Sequence, residues 1–102
     1  VNKNLLFVAT MDRKKLKKAR KSIDKVDMKI FNLIKKRTKI VTHMLSLKKQ
    51  KNQIIDKKRI NVILKKIKNK SIKNKIDPKI TIKIWRSIIW SYVDYQRRNF
   101  KK

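Results

Sequence analysis

Apolar residues along the first half of the chain recur in steps of three and four: Leu16, Ala19, Ile23, Val26, Ile30, Leu33, then Ile40, Met44 and Leu47. That rhythm draws one stripe along a helix, close to the heptad spacing of interlocking helices. Neither proline nor glycine interrupts it. The spacing therefore predicts a single helix from about Asp12 to Lys49, roughly 55 Å long at 1.5 Å per residue. The polar run "KKQKNQ" breaks the pattern. Asp56 then opens a second helix carrying Ile60, Ile63, Leu64 and Ile67. "IDPKI" starts the third, with Asp77 as N-cap and Pro78 at the first helical position. It continues to about Phe100 through Ile84, Trp85, Ile88, Ile89 and Tyr92. The reading is an all-α chain of one long helix and two shorter ones. A single domain covers residues 12–102, behind a poorly ordered N-terminal extension over residues 1–11, with Met11 an alternative start.

Helix lengths bear on partners. The second and third helices, about 14 and 22 residues, span roughly 21 and 33 Å. They are a poor cover for the whole stripe of a much longer helix. A second copy of the chain would complete that burial, so the pattern predicts a homodimer with the long helices interlocked.

Composition changes this picture less than its extremes suggest. The formal net charge is +27, from 33 Lys plus Arg against 6 Asp and no Glu in 102 residues. Such a balance first suggests a polyanionic partner, because lysines on phosphates release counterions. Here the basic residues are scattered from Lys3 to Lys102 among regularly spaced isoleucines, as in a coding sequence drifting toward A and T. Nucleic acid is thus not the expected main partner. Without cysteine and with one histidine, His43, the chain has neither a disulfide framework nor a Cys/His metal site. Without glycine it has no glycine-rich phosphate loop. "LLFVAT" is too short for a signal-peptide core, and no stretch approaches membrane-spanning length. The expected location is cytoplasmic, with no metal and no cofactor.

The informative residues are those that break the pattern. Arg37 falls in the stripe where an apolar residue is due, and Lys48, eleven residues on, returns to nearly the same face. Arg37, Val41, Met44 and Lys48 form one line with two cations on a mostly apolar surface. Lys48, near the helix end, can reach water as long basic side chains usually do. A mid-helix Arg37 needs a compensating anion, and with no glutamate and few aspartates in the chain a ligand anion is the better reading. Arg20 is rotated by about 100° from Arg37. It can pair locally with Asp24, or in an antiparallel dimer reach the partner's site. Arg59 follows Asp56 by three residues, which allows local pairing or a carboxylate that orients the guanidinium. Arginine carries weight in a chain with 26 lysines and 7 arginines, because its planar fork suits bidentate carboxylate binding. On the third helix, in "KIWRSIIWSYVDYQ", Trp85, Ile89, Tyr92 and Gln96 follow spacings of four, three and four. Packing explains the first two, but a glutamine on that face needs partners.

These residues resemble the all-helical (AroQ class) chorismate mutases over about Lys17 to Phe100. The carriers are "ARKSIDKVD", Arg37 followed by Lys48, "IIDKKR", "IDPKI", and "IWRSII" followed by Gln96. The resemblance implies an intertwined dimer with two sites, each taking an arginine, here Arg20, from the other subunit. It implies substrate contacts from Arg37, Arg59, Asp56, Ile60 and Tyr92, with Lys48 and Gln96 acting on the breaking ether bond of chorismate. Two positions depart from the common pattern. Ile60 stands where many mutases have glutamate or glutamine, and Tyr92 where many have serine, with Ser91 beside it. Those two look like the related isochorismate-pyruvate lyases, whereas "IDPKI…IWRSII" looks like the mutases. A small basic helical protein that coats nucleic acid is the remote alternative.

Overall fold

The computed structural model describes residues 3–101. Helix α1 runs Lys3–Leu47, α2 Lys57–Lys73 and α3 Pro78–Asn99, with a 3₁₀ turn at Lys51–Gln53. No strand occurs among the described residues, as the helical periodicity requires. α1 begins at Lys3 rather than near Asp12, so the helix takes in most of the segment set apart above as an extension. The chain falls into two compact units, Val1–Arg37 and Thr38–Lys102.

The first unit is the N-terminal part of α1. Every described side chain over residues 4–36 is exposed, and Arg37 is half-buried. The exposed set includes the apolar stripe itself: Leu16 at 51%, Ile23 at 61%, Ile30 at 49% and Leu33 at 65%. An amphipathic helix derives most of its stability from packing that face, so the first unit carries a large surface that water does not favour.

The second unit holds the core. Leu45 from the end of α1, Ile54 from the connection and Val93 from α3 form a buried cluster, with Ile55 and Phe100 packed against it. Val41 and Ile89 are also buried. The stripe residues of this unit that the cluster does not reach stay exposed, Ile40 at 54%, Met44 at 48% and Leu47 at 64%. α2 and α3 pack on one another across the turn at residues 74–77, where buried Ser71 shares a 2.6 Å hydrogen bond with Thr81.

Local chemistry sets the helix ends. The Asp56 carboxylate accepts from the Arg59 main-chain N–H at 3.0 Å, and the Asp77 carboxylate from that of Lys79 at 2.9 Å. Both satisfy first-turn donors that have no partner within the helix. α2 closes with Ile76 N–H donating to Ser71 O at 2.9 Å and Lys75 N–H to Ile72 O at 3.2 Å. That closure needs a left-handed residue, a place usually taken by glycine. With no glycine in the chain, Lys75 takes it at φ 58°, at a cost of about 1–2 kcal/mol.

Candidate functional site

The end of α1, the connection that follows it and the last turns of α3 converge on one polar pair. Lys48 comes directly after α1, and its main-chain N–H donates to Leu45 O at 3.1 Å, closing the last turn. Its ammonium donates to Gln96 Oε1 at 2.7 Å. Gln96 lies among Ile89 and Val93 on the buried face of α3 and is 8% exposed. Lysine is donor-only, so the glutamine must present its oxygen to it. The amide nitrogen then faces away and donates one hydrogen to Tyr92 O at 3.2 Å.

This arrangement orients both donors. The ammonium has three hydrogens and the amide two, and the bonds just described account for one of each. Burial pushes the Lys48 pKa down from the ordinary lysine range, and the Asp56 carboxylate acts against that shift. A partly desolvated cation beside an oriented amide is suited to an oxygen that gains negative charge, because such interactions strengthen where water is excluded.

The connection is held by Gln53, whose Oε1 accepts from the main-chain N–H groups of Lys49 at 2.8 Å and Gln50 at 2.9 Å. Folding back in this way brings Lys48 and Asp56 to one open pocket of about 490 Å³, shared with Asn52, Gln53, Ile55, Lys57 and Lys58. Asp56 carries two tasks, since its carboxylate caps α2 while its charge acts on Lys48. Arg59 is exposed on the first turn of α2, and half-buried Ile60 donates its N–H to Asp56 O at 3.0 Å. Of the residues singled out from sequence, Lys48, Asp56, Arg59, Ile60, Tyr92 and Gln96 all belong to the second unit. Arg20, exposed, and Arg37, half-buried, belong to the first.

Sequence reasoning missed Thr38. Its hydroxyl shares a 2.6 Å hydrogen bond with the Tyr92 phenol, and Thr42 shares one of 2.8 Å with Tyr95. The available signal was a pair of threonines four apart facing a pair of tyrosines three apart, which is weak without knowing that α1 and α3 adjoin here.

No helix among the described residues is long and apolar enough to cross a membrane. The family model for chorismate mutase type II matches residues 19–97, a span containing every site residue named above. No curated protein and no solved structure matches the chain. The three-helix architecture and that match agree, and the chain belongs to the type II, all-helical AroQ class of chorismate mutases.

Proposed function

We propose that this chain is a chorismate mutase, converting chorismate to prephenate as a homodimer with two shared sites. The observation that carries the reading is the Lys48–Gln96 pair, in which a glutamine only 8% exposed is oriented by bonds at both ends beside a half-buried ammonium, each with further hydrogens to donate. The reaction is intramolecular. The ether C–O bond breaks as a C–C bond forms between the enolpyruvyl methylene and the ring, and no proton changes hands. The site therefore has two tasks: to hold the folded conformer and to stabilise charge on the ether oxygen.

Arg37, Arg59 and the partner subunit's Arg20 clamp the two carboxylates and select the conformer in which the reacting carbons meet. Lys48 and the Gln96 amide donate to the ether oxygen, interactions stronger in the transition state than in the ground state. The exposed stripe of α1, from Leu16 to Leu47, supports the dimer: a second copy covers it and brings Arg20 to the other site. The positive field of a +27 chain speeds encounter with a dianion.

Half-buried Ile60 and the clasped Tyr92 favour a second reading, an isochorismate-pyruvate lyase. There the same kind of ether bond breaks while a ring hydrogen passes to the enolpyruvyl methylene, giving salicylate and pyruvate. Incubating the purified chain with each substrate separates the two. Prephenate from chorismate is expected; salicylate as the only product would replace the mutase reading, and no turnover of either would remove both.

The alkaline limb of kcat/KM gives a further check. Lys48 must be protonated to act, and burial lowers its pKa, so activity is expected to fall at a pH below the ordinary lysine range. A bound dianion favours the charged form and moves the limb of kcat to higher pH. A flat kcat/KM through the lysine range would show that Lys48 does not act as a cation.

A further inference from the structure

Tyr92 is tied at two points. Its phenol shares the 2.6 Å bond with Thr38 on α1, and its main-chain carbonyl accepts from the Gln96 amide at 3.2 Å. Four residues apart on α3, Tyr92 and Gln96 share one face, and the amide of the second bonds to the main chain of the first. Tyr95 adjoins Gln96 in sequence and so points about 100° away from it. Its bond to Thr42 is the same chemistry one turn along α1, at an exposed position. The two tyrosine rings meet edge to face, centroids 6.3 Å apart at 84°, so the two bonds form adjoining rungs between α1 and α3.

We propose that Thr38 is a positioning residue: its hydroxyl locks the Tyr92 ring as a wall beside the Gln96 amide and thereby sets how the ring of the substrate is seated there. The inference rests on the proposed function for its kinetic consequence. The lock itself does not.

Thr38→Val removes the hydroxyl and keeps the shape, and Thr42→Val does the same at the neighbouring rung. Both are expected to lower Tm by similar amounts. Only Thr38→Val is expected to raise KM, roughly three- to tenfold for one neutral hydrogen bond, with kcat little changed. Thr38→Ser should restore KM, and Tyr92→Phe should reproduce the Thr38→Val value without adding to it in the double variant. Unchanged KM in Thr38→Val, or equal rises in Thr38→Val and Thr42→Val, would overturn the proposal. If Thr38→Val does not fold, Tyr92→Phe carries the same expectation and the same risk. Should the native chain turn over neither substrate, the proposed function fails and the lock is still decided by ring-flip rates of labelled tyrosine, of which the chain has two. Faster flipping of Tyr92 in Thr38→Val supports the lock, and an unchanged rate removes it.

Discussion

Gln96→Ala is expected to lower kcat a hundredfold or more, about 3 kcal/mol of transition-state stabilisation, with KM changed far less. The amide nitrogen is aimed by two bonds made before any substrate arrives, Lys48 to Oε1 at 2.7 Å and Nε2 to Tyr92 O at 3.2 Å. An oxygen bonded from the ground state onward would gain binding from that nitrogen. An ether oxygen gains its charge only as the bond breaks, so the loss should fall on kcat. Alanine also leaves a void at a site only 8% exposed and frees the ammonium to turn toward water. Gln96→Met separates these effects: it refills the space and should recover stability without recovering turnover. A Gln96→Ala enzyme with native kcat, or a Gln96→Met enzyme that regains it, would exclude the amide from the chemistry.

The parts of this candidate site that sequence made legible are those where a residue conflicts with a period. Gln96 stands on the apolar face of α3 and Lys48 on the line of the α1 stripe, and each conflict is visible by counting. Helix starts were legible where a cap is local, as at Asp56 and at Asp77–Pro78. The start of α1 was not, because neither an acidic first turn nor a breaker marks it, and helix simply continues back to Lys3. The left-handed Lys75 was hidden for a related reason: without glycine, no letter announces the turn. Thr38 and Tyr92 were hidden differently. Their bond joins residues 54 apart in sequence, and hydroxyls at half-buried positions disturb no hydrophobic pattern. Such contacts follow from which helix faces which, information that period alone does not hold.

Mixing two inactive variants is expected to restore activity. Arg20→Ala should cost roughly 2–5 kcal/mol in kcat/KM, the usual loss when one member of a desolvated charge pair is truncated. Its exposure means the fold should hardly register the change. Lys48→Ala should lose turnover as Gln96→Ala does. In a two-fold dimer that shares its sites, a mixed dimer combines the intact Arg20 of one chain with the intact Lys48 of the other, and concentrates both defects in the second site. Half of randomly paired dimers are mixed and each has one working site, so activity should return to roughly a quarter of the native value. If Arg20 served its own chain, every site in the mixture would carry one lesion and nothing would return. If Arg20 took no part, Arg20→Ala would be active alone. The recovery also requires that chains exchange, which ties it to the exposed α1 stripe: Leu33→Lys, placing a charge on a residue 65% exposed in the single chain, should abolish both the dimer in sedimentation and the restored activity. Retained dimer with that charge in place would show that the dimer does not form through the stripe at Leu33.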